Sequence, residues 1–131
     1  MTLFTPWNRK QQAPAPEPEA PRGASRRPFS LSVALDAECA RLELTGQLGA
    51  DRFDALEAGL RMVAELKLRE TRIDVARLER IDTFAVGILC GFAQQAEREG
   101  CVTRLRGATG RVAEKLSWAE SRGQLAAVLE A

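Results

Sequence analysis

Residues 72–89, RIDVARLERIDTFAVGIL, decide the fold, because within them an alternating apolar strand runs through a charged break into the start of a helix. Ile73 and Val75 alternate with Arg72, Asp74 and Ala76, the period-two pattern of a strand buried on one face. Arg77-Leu78-Glu79-Arg80 interrupts the alternation with charge and predicts a turn. Asp82 then offers a carboxylate to the unpaired first-turn amides of a helix whose apolar repeat is Ala85, Ile88, Leu89, Phe92 and Ala96. Thr83 becomes the first helical residue, its hydroxyl at the positive end of the helix, where a phosphate is stabilised.

Working outward, Leu31, Val33 and Leu35 alternate with small or polar residues, as do Leu42 and Leu44, so two half-buried strands are expected with a tight connection near Glu38. Thr45-Gly46-Gln47-Leu48-Gly49 reads as a loop, and Phe53, Leu56, Leu60 and Val63 mark a helix opened by Asp51. On the other side, Glu99-Gly100 ends the central helix with a glycine in the favoured position. Residues 101–106 read as a fourth strand and residues 107–110 as a turn. Val112, Leu116 and Trp118 line one face of a third helix, and residues 124–129 suit a last short one. The expectation is an α/β domain with a four-stranded mixed sheet and three to four helices mainly on one face, since the strands alternate instead of being apolar throughout.

The 131 residues suffice for one domain with a real core. Residues 1–28 carry five Lys/Arg against two Asp/Glu (+3), residues 29–131 fourteen against sixteen (−2), so the folded part is mildly acidic and unsuited to nucleic acid. The chain has no histidine, and Cys39, Cys90 and Cys101 lie far apart, which removes the common zinc constellations and imidazole catalysis. Cys90 reads as apolar filler in the helix. The odd cysteine count and the lack of a signal peptide suggest a reducing cytosol, and no apolar run is long enough to span a bilayer.

All six prolines fall within residues 1–28, where QQAPAPEPEAPRGASRR has no apolar periodicity, so a disordered tail is expected ahead of a domain over residues 29–131. Its first residues differ: Leu3, Phe4 and Trp7 are followed by Arg9 and Lys10, a combination suited to a partner or to peripheral contact with an anionic membrane through residues 1–10. Incidental hydrophobes in a start peptide are the alternative.

The order of elements, with the central box in place, resembles the STAS domain family of sulfate transporters and anti-sigma-factor antagonists. In that family a strand ends in an Asp-Ser-Ser-Gly or Asp-Thr-x-Gly box whose first hydroxyl residue is a phosphorylation or partner-contact site. Here the box reads Asp82-Thr83-Phe84-Ala85, followed by Val86-Gly87-Ile88-Leu89. Gly46-Gln47-Leu48 matches the family's Gly-x-Leu ahead of the first helix, and the likeness covers roughly residues 29–129. Two positions depart from the pattern: Ala85 replaces a glycine, and Gly49 stands where family members often carry a partner-binding aspartate.

The resemblance implies a STAS-like fold and a non-enzymatic regulatory module that binds a protein through Asp82 and Thr83, with Gln47 and Gly49 on the same surface. Phosphorylation of Thr83 would then weaken binding by burying a dianion in the interface. A supplementary capping role for Thr83 is the plain alternative. Gly87 and Gly91 share a helix face with Thr83 and either admit a partner's backbone or pack on the domain's own sheet, while Phe84 is an exposed anchor or an edge of the core.

Two partners compete: an anti-sigma factor of the kinase type, and the ATPase of an ABC-type phospholipid transporter, towards which the Asp-Thr box, the Val102-Thr103-x-Leu105-x-Gly107 pattern and the apolar-basic N-terminus lean. Either partner puts the protein in the cytoplasm, the transporter at the inner face of the membrane. Catalysis is disfavoured, because Asp36, Asp51, Asp54, Asp74 and Asp82 have no nucleophile at motif spacing and no glycine-rich phosphate loop follows a strand. Nothing specifies a cofactor, and nucleotide or lipid binding is the third class.

Overall fold

The computed structural model describes residues 27–130. Strands β1 (Ser30–Asp36) and β2 (Cys39–Leu48) form the expected hairpin, with Asp36 paired to Cys39 and its carboxylate accepting from the Ala37 amide at 2.8 Å. After a 3₁₀ turn at Ala50–Arg52 come α1 (Phe53–Glu65), β3 (Glu70–Ile81), α2 (Thr83–Arg98), β4 (Val102–Arg106), α3 (Gly110–Ser121) and β5 (Val128–Glu130). The sheet order is β1-β2-β3-β4-β5, antiparallel at the first pair and parallel at the rest. Each parallel connection steps to the next neighbour in the same direction, and right-handed crossovers therefore place all three helices on one face.

The core lies between that face and the helices. β2 contributes Ala40, Leu42, Leu44 and Leu48, α1 contributes Leu56, Leu60 and Val63, and α2 contributes Ala85, Val86, Leu89 and Cys90. Alternate strand residues face solvent on the bare side. There Arg72 and Arg104 both donate to one oxygen of Glu70, at 2.9 and 2.8 Å, and Arg104 also reaches Glu130 at 2.9 Å.

Four expectations need correction, the first being the loop read at residues 45–49: residues 45–48 are the end of β2, kept in the ladder because β3 bulges to pair with them. The sheet has five strands, not four, because β5 overlaps the end of the segment read as a last helix. α3 closes at Gly123 (φ +73°), where the Gly123 and Gln124 amides donate back to Glu120 and Ala119. Such a left-handed terminus turns the chain away from the helix, and the open edge of β4 then accepts Val128, Leu129 and Glu130. The charged run at residues 77–80 is not a turn: β3 continues through it by two bulges, its register against β2 shifting between Glu43 and Thr45 and again between Gly46 and Gln47. Each bulge adds a residue to β3. Its buried side chains then fall three apart, at Val75, Leu78 and Ile81, and Ala76, Arg77, Glu79 and Arg80 point outward. Trp118 lies off the core-facing stripe of Val112, Leu116 and Ala119 and is 52% exposed.

The chain enters over β2. Pro28 bridges to Gln47, whose amide donates to the Arg27 carbonyl at 3.2 Å. Gly46 (φ +84°) makes this crossing possible, since a side chain there would collide with the Pro28 carbonyl. The expected tail and its apolar start at Leu3, Phe4 and Trp7 lie outside the described residues.

Candidate functional site

The parallel strands all end at one edge of the sheet, where the helices begin, and Asp82 sits in the middle of that edge. Its amide donates to the Leu48 carbonyl at the end of β2 (3.0 Å), and its extended backbone (φ −76°, ψ 148°) lets Oδ1 accept from the Phe84 amide at 2.8 Å. The Val86 amide completes the first turn by donating to the Asp82 carbonyl at 3.1 Å. This is the N-cap arrangement expected from the residue type. The Thr83 hydroxyl takes no part in it: the side chain is exposed and makes no hydrogen bond among the described residues.

Lys115, from α3, braces the same corner. Its Nζ donates to the Ile81 carbonyl at 2.8 Å and divides two recesses. One, of about 270 Å³, gathers Gln47, Gly49, Arg80 and Asp82. The other, of about 240 Å³, lies between Thr83, Val86, Glu114 and Trp118. The Arg122 guanidinium stands 5.0 Å from the centre of the Trp118 ring, within cation–π range.

On the α1 side, Phe84 is 74% exposed, with its ring 6.0 Å from that of Phe53 at the start of α1. Gly87 and Gly91 run along the outer surface of α2, and a Cβ built on either would meet no atom within 4 Å. Their missing side chains serve no contact inside the domain, and packing on the sheet is done instead by Ala85, Val86, Leu89, Cys90, Ala93 and Ala96.

The structure thus brings Gln47, Gly49 and Asp82 to one recess and Thr83 to the next, with Phe84, Gly87 and Gly91 continuing the surface along α2. Sequence reasoning missed Lys115 and Arg122 and assigned Trp118 to the core. The signal for Trp118 was available, since it lies six residues from Val112 and two from Leu116, off their shared face.

As a chemical centre the edge is sparse. Among the described residues, no group of three or more Cys, Asp and Glu is placed to hold a metal. Burial raises the pKa of the Cys90 and Cys39 thiols, with Glu70 adding to the effect at Cys39, which disfavours the nucleophilic thiolate in both. No helix among the described residues is long and apolar enough to cross a membrane.

A family model described as "Mlab, STAS domain" matches residues 31–125. No curated protein matches the sequence. Among solved structures, an anti-sigma factor antagonist from Mycobacterium paratuberculosis superposes with a TM-score of 0.67 at 14% identity, covering 77% of this chain and 86% of that one. SpoIIAA in its unphosphorylated form gives 0.63 at 18% identity, over 79% and 88% of the two chains. The phosphorylated form of the same Bacillus cell fate determinant gives 0.60 at 16%, over 79% and 91%. At these identities the likeness is one of fold.

Proposed function

The chain belongs to the STAS domain family, and from that premise we propose that it is a protein-binding regulatory module whose contact surface is the N-terminal half of α2. The observation that carries this reading is the pair Gly87 and Gly91, which lie in open space on the outer face of α2 beside the exposed Phe84. A glycine costs a helix interior about 1 kcal/mol relative to alanine, and here the domain's own packing gains nothing in return. A partner whose backbone approaches α2 closely does gain, with Phe84 and Trp118 as aromatic anchors on either flank. Asp82 shapes the surface by capping the helix, and Gln47 and Gly49 extend it towards β2.

Thr83 is the control point of this reading. Its hydroxyl is free, and a phosphate there adds roughly −1.5 to −2 charges beside Asp82. A partner that accepts the neutral hydroxyl would have to bury that charge, and binding would fall. Of the two partner classes, the Asp82-Thr83 box, the Val102-Thr103-x-Leu105-x-Gly107 pattern and the apolar-basic N-terminus favour the ATPase of an ABC-type phospholipid transporter over an anti-sigma kinase, as does glycine at position 49. Such a subunit works at the cytoplasmic face of the membrane, where residues 1–10 supply the apolar and basic groups for peripheral contact.

Isolation of the native complex tests the partner: a transporter ATPase is expected, and a sigma-regulating kinase in its place would reject that assignment. With the recovered partner, Thr83→Glu should weaken binding far more than Thr83→Ala. Equal affinities for the two variants would sink the switch.

A further inference from the structure

Charge in the folded domain is unevenly placed. Pairing of β3 with β4 ends at Asp74, so residues 75–81 have no strand neighbour on that side, and the start of α3 comes up against the overhang. The space between them is an open groove of about 820 Å³. Arg27, Arg77, Arg80, Arg111 and Lys115 line it together with a carboxylate, Glu79; even without Arg27 this is +3, within residues 29–131 that sum to −2. Glu79 pairs with Arg27 at 3.8 Å, and Arg77 reaches Glu43 at 4.0 Å. Arg80 and Arg111 have no ion pair among the described residues.

Five cations around one concavity repel one another, and a bound anion relieves that repulsion. The site has further provisions for one. Thr109 caps α3 without a side-chain hydrogen bond, so the first-turn amides at residues 110–112 stand beside the groove with no side-chain acceptor from the cap. The groove also lies at the carboxyl end of β3, past the last residue that pairs with β4. Guanidinium groups present paired donors that match phosphate oxygens, and Lys115 keeps further protons after its bond to Ile81.

We propose that this groove binds a phosphate-bearing anion, held by Arg80 and Arg111 and supported by Arg77, Lys115 and the first turn of α3. The site is distinct from the outer face of α2; it meets the recesses at the start of that helix at Arg80, Ile81 and Lys115. The test titrates the full chain with inorganic pyrophosphate by calorimetry and, separately, with phosphatidylcholine vesicles with or without phosphatidic acid. Saturable binding that weakens with added salt is expected. The Arg80→Ala/Arg111→Ala double variant should lose at least tenfold in affinity, while Arg61→Ala, an exposed charge on α1, should lose none. Circular dichroism of each variant establishes that the fold is intact.

Saturable pyrophosphate binding without a preference for phosphatidic acid assigns the site to a soluble phosphate compound. Vesicle binding that requires phosphatidic acid and disappears in the double variant assigns it to a lipid headgroup. Failure of both probes to bind, an unchanged affinity in the double variant, or an equal loss in Arg61→Ala would overturn the proposal.

Discussion

Replacing Gly87 and Gly91 together by alanine separates what α2 needs for stability from what it needs for binding. Both positions are inside the helix, and a Cβ at either meets no atom within 4 Å, so the new methyl groups clash with nothing. Alanine is more favourable than glycine in a helix by about 0.8–1.0 kcal/mol per site, giving about 2 kcal/mol for the pair. The two sites are one turn apart, but helix propensity acts through each residue's own backbone and two methyl groups at that spacing do not clash, so the increments should add approximately. For a domain of this size, 1 kcal/mol moves Tm by roughly 4–8 °C, so the double variant should melt roughly 8–16 °C higher. The same methyl groups stand where the partner's backbone is proposed to approach, and affinity for the recovered partner should fall at least tenfold. Thermal unfolding followed by circular dichroism reads the first effect, and calorimetric titration of the partner reads the second. An unchanged or lower Tm would refute the helix argument. A raised Tm with undiminished affinity would remove the outer face of α2 from the interface.

Asp82→Ala should cost about 1 kcal/mol by stripping the cap from the Phe84 amide, and Asp82→Ser should restore most of it; urea unfolding midpoints report both. Trp118→Ala should leave stability nearly unchanged, because the ring is half exposed, yet weaken partner binding by about 2 kcal/mol if the ring is an anchor. Glu70 should contribute to acid unfolding. Its hydrogen bond from Arg72, with a further one from Arg104, holds its carboxyl below the ordinary value, so the stabilisation is complete above the unfolded pKa of about 4.3 and is lost as pH falls through the lower folded value. Glu70→Gln should therefore flatten the stability profile on the acid side, and an unaltered profile between about pH 2 and 6 would contradict this.

Elements whose residues obey one period were legible in the sequence. The alternation of Leu42 and Leu44, the repeat of Leu56, Leu60 and Val63, and the Asp82 cap each state their own conformation, and the Glu99-Gly100 stop does so through its left-handed glycine. What was missed depends on partners distant in sequence. The run at residues 77–80 looks like a turn until β2 supplies a ladder that bulges around it. Residues 128–130 are strand because β4 offers an open edge, which no local pattern announces. At the site, Asp82 and Thr83 were visible through the box they form. Lys115, which donates to the Ile81 carbonyl across 34 positions, was not.

The glycine at position 46 has a reach beyond the turn it permits. By letting Pro28 and Arg27 lie beside Gln47, it sets where that arginine stands: on the edge where α2 begins, lining the basic groove next to the recess of Gln47, Gly49 and Asp82. One backbone position in β2 thereby supplies a cation to a groove built mostly from β3 and α3. A bulkier residue at position 46 would displace that cation while leaving Asp82, Phe84, Gly87 and Gly91 in place.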